Sequence, residues 1–132
     1  MIKGSDHTTN RDIQTEDDIV DLVNSFYEKV RRDDLLAPVF EATIKGDWDQ
    51  HLQRMCDFWS TLLLYSQKYR GDPMTRHMAL NIGREHFSRW LQLFTRTVDN
   101  LFKGENAKEA KKRAGYIAKL MQLTKNPSIT DS

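Results

Sequence analysis

The chain has 132 residues, enough for one domain with a single buried core. Its 20 basic and 19 acidic residues leave a formal net charge of +1, so bulk charge gives no reason to expect nucleic acid or an anionic membrane as partner. The composition, 39% hydrophobic and 30% charged, is that of a folded protein; no apolar run nears the roughly 20 residues of a membrane span, the first residues form no signal core, and the lone Cys56 cannot close an internal disulfide, which together point to the cytoplasm.

Residues 1–14 are polar and lack periodicity, and read as a flexible arm ahead of one domain over 15–125. Ile19, Leu22, Val23, Phe26, Tyr27 and Val30 then recur at helical spacing. Thr15 with Asp18 makes an N-terminal cap, and Arg31-Arg32 suits the C-terminal end. In Leu35-Leu36-Ala37-Pro38-Val39-Phe40 the proline limits any helix to about a turn. Asp47 followed by Gln50 resembles a capping box for a helix with Trp48, His51, Leu52, Met55, Phe58, Trp59, Leu62 and Leu63 on one face.

Gly71-Asp72-Pro73 breaks the pattern, with Asp72 as cap and Pro73 at the first position of a short helix carrying His77. Phe87, Trp90, Leu91, Phe94, Val98, Leu101 and Phe102 form the clearest amphipathic stripe, stopped at Gly104. Asn106 with Glu109 caps a last helix that turns Ala107, Ala110, Ala114, Ile117 and Met121 inward. Asn126-Pro127 opens a flexible tail over 126–132. No segment alternates with period two, so the expected fold is all-α, with four long helices and two short pieces.

The side chains that carry chemistry are few. His77, flanked by Met74 and Met78, has the neutral imidazole that serves as an axial donor to haem iron, although a histidine beside a turn also often faces water. His51, Met55 and Trp59 are spaced by four and stack along one helix face, where His51 is either a donor to a ligand or a satisfied core residue. Tyr27 and Trp90 lie on inward faces, and the phenol and the indole N–H each need a partner, structural or bound. Other metal readings fail: there is no His-x-x-x-His, no Glu-x-x-His pair and no cysteine pair. His86, near a helix start, is the competing ligand, and nothing beside Cys56 marks a reactive thiol.

Five pieces stand in order with compatible gaps: Phe26-Tyr27-Glu28-Lys29-Val30; Leu36-Ala37-Pro38-Val39-Phe40; Trp48…His51…Phe58-Trp59; Gly71-Asp72-Pro73…His77; and Phe87…Arg89-Trp90-Leu91…Phe94. In that order the chain resembles a truncated haemoglobin, and most closely the group III subfamily, from about Asp17 to about Met121. The paired glycines of the other groups are missing, with only Gly46 between Phe40 and Trp48, while Asn81-Ile82-Gly83 departs from the proline-rich link of the family.

The resemblance implies a two-over-two helical sandwich around haem b, with His77 as proximal iron ligand and Tyr27, His51 and Trp90 lining the distal pocket. It places Phe40, Met55, Trp59, Met78, Phe87 and Phe94 against the porphyrin, and Arg54 and Arg76 near the propionates. The ligand would be a diatomic gas: oxygen, nitric oxide or carbon monoxide. Donors that slow oxygen release make a poor carrier and suit peroxidase-like or nitric oxide dioxygenase-like chemistry served by a reductase, in a monomer or weak dimer. The rival expectation is a helical interaction module whose aromatic stripe is only core.

Overall fold

The computed structural model describes residues 11–67 and 83–125, the last three as backbone only. Among the described residues there are five helices and no strand: α1 (Glu16–Arg32), α2 (Ala37–Ile44), α3 (Trp48–Leu64), α4 (Arg84–Leu101) and α5 (Glu105–Lys125). None is long and apolar enough to cross a membrane. The expected short helix around His77 lies outside the described residues.

Helix α1 forms where the sequence placed it. Thr15 accepts from the Asp18 amide, the Asp18 carboxylate accepts from the Thr15 amide, and acidic residues fill the first turn while Lys29, Arg31 and Arg32 fill the last. Its apolar stripe meets both α3 and α4, and α5 packs chiefly along α4. Buried Ala107, Ala110, Ala114 and Ala118 keep the inner face of α5 small, so its backbone can lie close to its neighbours. The core is one cluster running from Ile13 through the aromatic residues of α1, α3 and α4 to Ala114.

Four expectations need correction. Pro38 does not confine α2 to a turn: it sits in the first turn, where its missing N–H costs nothing, and the helix runs eight residues. Asp47 makes no side-chain cap to α3. The Asn106–Glu109 pair does not cap α5, because Glu109 instead pairs with Arg113. The cap comes from Asp12, whose two carboxylate oxygens accept from the Asn106 and Ala107 amides at 2.8 Å each, 94 and 95 residues away.

Residues 11–14, read from sequence as part of the loose arm, are therefore built into the fold. Ile13 is fully buried, the Arg11 carbonyl accepts from the Lys103 amide at 3.0 Å, and the Asn106 side chain donates to the Ile13 carbonyl at 2.7 Å. Gly104 (φ 149°) is the residue that lets α4 turn into α5 here, since a Cβ at this position would collide with the Asp12 side chain. Asp18 completes the clamp. Burial alone would raise its pKa, but Arg11 and the Gln14 and Thr15 amides outweigh that penalty and hold the carboxyl at about 2.

Candidate functional site: an aromatic pocket between three helices

The far half of α1, the start of α3 and the middle of α4 bring their aromatic side chains together. Tyr27 lies next to Phe26 on the inward face of α1 and is 3% exposed. Its ring meets His51 edge-on at 5.0 Å, Phe40 at 6.0 Å and Trp48 at 6.1 Å between centroids. From the other side, Phe26 sets its edge against Trp90 at 5.7 Å and Phe94 at 5.2 Å. Trp59, Phe94 and Trp90 stack as a column, 4.8 Å and 5.8 Å between successive centroids. Such edge and stacked contacts hold ring directions as well as burying area. The rings hold one another's directions, and Tyr27, His51 and Trp90 carry their polar tips within one aromatic cluster.

Those tips are differently satisfied. Burial pushes the Tyr27 phenol well above its ordinary pKa, with the Trp90 N–H offsetting a part, so the hydroxyl keeps its proton at any physiological pH. The Trp90 indole nitrogen is itself buried and lies near the Tyr27 oxygen, but it reaches full hydrogen-bond geometry with no acceptor among the described residues. An orphaned N–H in an apolar wall is costly, and a bound acceptor would relieve it. The Arg54 Nε, on α3 one turn beyond His51's first neighbours, is a second buried polar atom with no acceptor.

Of the other sequence-predicted residues, Phe40 (4% exposed), Met55 (4%), Trp59 (3%) and Phe94 (0%) are buried in the cluster with this wall. Phe87 is buried too, but apart from that cluster. His77, Arg76, Met74 and Met78 lie outside the described residues. His86, the competing ligand, has its Nδ1 engaged as acceptor from the Gly83 amide at 2.9 Å, closing the first turn of α4. Cys56 is half-buried, and burial pushes its thiol up to about 11, which leaves it inert at neutral pH.

Two features of the site escaped the sequence reading. Trp48 was placed on the apolar face of α3 but given no part in the site, although it packs edge-on against both Tyr27 and His51. Asp33 ends α1, accepts from the Leu35 and Leu36 amides ahead of α2, and binds the Arg89 guanidinium beside Trp90. That ion pair ties the Tyr27-bearing helix to the Trp90-bearing one across 56 residues of sequence. Burial works against the Asp33 carboxylate, yet the two amides and Arg89 hold its pKa below the ordinary value.

The fold is one that a known protein shares. The family of bacterial-like globins matches residues 11–126. The group 3 truncated hemoglobin ctb of Campylobacter jejuni is 32% identical over 111 residues, 81% of this chain and 87% of that protein. The crystal structure of group III truncated hemoglobin from Campylobacter jejuni superposes with a TM-score of 0.80 at 30% identity, covering 88% of this chain and 94% of that one. The chain belongs to the bacterial-like globins and, within them, to the group III truncated haemoglobins, with the truncated-globin fold. Membership of that family implies a haem cofactor.

Proposed function

We propose that the protein binds haem b and, in the pocket walled by Tyr27, His51 and Trp90, a diatomic ligand such as oxygen, nitric oxide or carbon monoxide. The observation that carries this reading is the buried Trp90 N–H without an acceptor, beside a phenol that burial keeps protonated. The residues fit the cofactor in two respects. Stacked and edge-packed rings of Phe40, Trp59 and Phe94 provide the apolar surroundings of a porphyrin, and the unsatisfied Arg54 nitrogen suits a propionate. When bound, the haem would supply an iron able to take a donor from His77 and to bind an exogenous diatomic ligand.

His77 is assigned the axial role on its place after Asp72-Pro73 and on the family pattern. Arg76 beside it is assigned a propionate, and Met78 and Phe87 the porphyrin surface. Tyr27 on α1 and Trp90 on α4 each offer a donor, the phenol O–H and the indole N–H, to a ligand that carries partial negative charge. His51 enters the same wall from the first turns of α3 and acts as a secondary or gating group. Each neutral hydrogen bond adds roughly 0.5–1.5 kcal/mol, so two together slow oxygen release by one to two orders of magnitude. A ligand held so firmly fits turnover of nitric oxide or peroxide, with a reductase as partner, better than transport.

The test is direct. The expressed protein should be red with a Soret band, and His77→Gly should lose haem or accept imidazole in its place. A colourless protein that ignores added haemin would favour the interaction module instead. Unchanged spectra in His77→Gly, with loss in His86→Ala, would move the axial role to His86.

A further inference from the structure

The outer side of the Tyr27–His51 wall carries an assembly that the ligand-binding reading does not use. Trp48, the first residue of α3, stands edge-on to Tyr27 at 6.1 Å and to His51 at 5.8 Å, and is 5% exposed. The Arg31 guanidinium lies 4.5 Å from the centre of its ring, and Glu41 accepts its indole N–H at 3.2 Å. Arg31 and Glu41 also face each other at 3.9 Å, each side chain 47% exposed. One indole therefore separates the buried polar tips of the pocket from a pair of solvent-facing charges.

Three observations make this indole a removable part of the wall. The turn before it takes Lys45 (φ 57°) and Gly46 (φ 87°) through the left-handed region, and Asp47 gives α3 no side-chain cap, so the first turn is free to fray. The two groups that hold the ring are half-exposed charges, whose mutual attraction water and salt weaken. Finally, a groove of about 470 Å³ runs along α1 to Leu52 of α3, and Tyr27 and Arg31 both line it. Trp48 itself does not line this groove, but Arg31 is common to the groove and the Trp48 assembly.

We propose that Trp48 is a door between the solvent at the Arg31–Glu41 pair and the Tyr27–His51 side of the ligand pocket, held shut by Glu41 and Arg31; the proposal rests on the haem-globin reading above. Opening breaks one N–H···O bond and one cation–π contact and lets the uncapped first turn of α3 swing. A door differs from a hydrogen-bond donor in its kinetic signature. It sets the barrier in both directions, so ligand association and release change by the same factor and the equilibrium constant stays put. A donor acts mainly on release.

The experiment combines flash photolysis of the carbon monoxide form with stopped-flow release, in wild type, Trp48→Ala, Trp48→Phe, Glu41→Gln and Arg31→Met. Trp48→Ala should speed association and release together by about tenfold, and Glu41→Gln by about threefold, as exchange of a charged acceptor for a neutral one implies. In the protein without gas ligand, exchange of the Trp48 indole proton followed by NMR should quicken in Glu41→Gln. Should Trp48→Ala fail to fold, Trp48→Phe, which keeps a ring and loses the N–H, and Glu41→Gln carry the test. Association unchanged in these variants would overturn the door, as would faster release alone, which would make Trp48 a support for the donors. A wild type that takes up no haemin would overturn the ligand-binding reading and this proposal with it.

Discussion

The two ends of α1 bury polar groups to a similar depth and treat them in opposite ways. At the start, Asp18 is 2% exposed and accepts from Arg11, Gln14 and Thr15, while Asp12 accepts from Asn106 and Ala107 of another helix. At the far end, Tyr27 faces a Trp90 N–H that reaches no acceptor, and the Arg54 Nε is likewise unsatisfied. A buried group left without its partner forfeits the desolvation cost, so a fold keeps one only where something else will supply the partner. Full satisfaction marks the clamp as architecture, and the orphaned N–H is what the ligand role proposed for the aromatic cluster rests on.

That contrast can be broken by mutation. Asp18→Ala strips one buried carboxylate from three donors, the Gln14 and Thr15 amides among them, and should cost about 3 kcal/mol of stability. Chemical denaturation checks it, and carbon monoxide kinetics in the surviving folded protein should match wild type. A variant that altered ligand kinetics as much as stability would show that the two ends are not separate.

Acid offers a second, somewhat smaller lever on the same clamp. The Asp18 carboxyl is held at about 2 in the fold against an ordinary 3.8. A depressed carboxyl contributes its stabilisation above the unfolded value and loses it as pH falls through 3.8 towards 2. The loss amounts to about 2 kcal/mol, read as the difference between wild type and Asp18→Asn in denaturation midpoints at pH 5 and pH 2.5. Equal pH dependence in the two proteins would remove Asp18 from the account.

The smallest effect on stability is expected where the partner is missing. Trp90→Phe removes an N–H that meets no acceptor among the described residues, so the unfolding midpoint should hardly move, while oxygen release quickens by about tenfold, equivalent to about 1.4 kcal/mol. Tyr27→Phe should act alike, each more than His51→Leu, with carbon monoxide release changing less. Were His51→Leu alone to give the large effect, the pocket would work through its histidine and the contrast would need redrawing.

Much of this was legible in the sequence because it is local. The stripes of α1, α3 and α4 are visible at a spacing of three and four residues, and the Thr15–Asp18 cap closes within a single turn. What local reading cannot see is a partner a hundred residues away. Asp12 looks like one polar residue among others in a chain start without periodicity, yet its partners are Asn106 and Ala107. The same blindness hid the bond between Asp33 and Arg89, and turned Asn106 and Glu109 into a cap they do not form. Pro38 misled for another reason: a proline forbids the interior of a helix but not its first turn, and only the chain after it decides which of these it occupies. Trp48 reads from sequence only as one residue on the apolar face of α3, because apolar spacing says nothing of the charges that meet a ring from outside.

The tie between Asp12 and the start of α5 has a consequence for how the molecule breathes. The opening amides of a helix have no acceptor one turn back and ordinarily trade their hydrogens with solvent almost as fast as a random chain. Asn106 and Ala107 are such amides, but each is bound at 2.8 Å by a carboxylate anchored beside a fully buried isoleucine. Deuterium should therefore reach them only when the segment around Ile13 lifts off the helix corner. Their isotope uptake becomes a clock for that single event, set by how often a dozen atoms at the protein's edge let go.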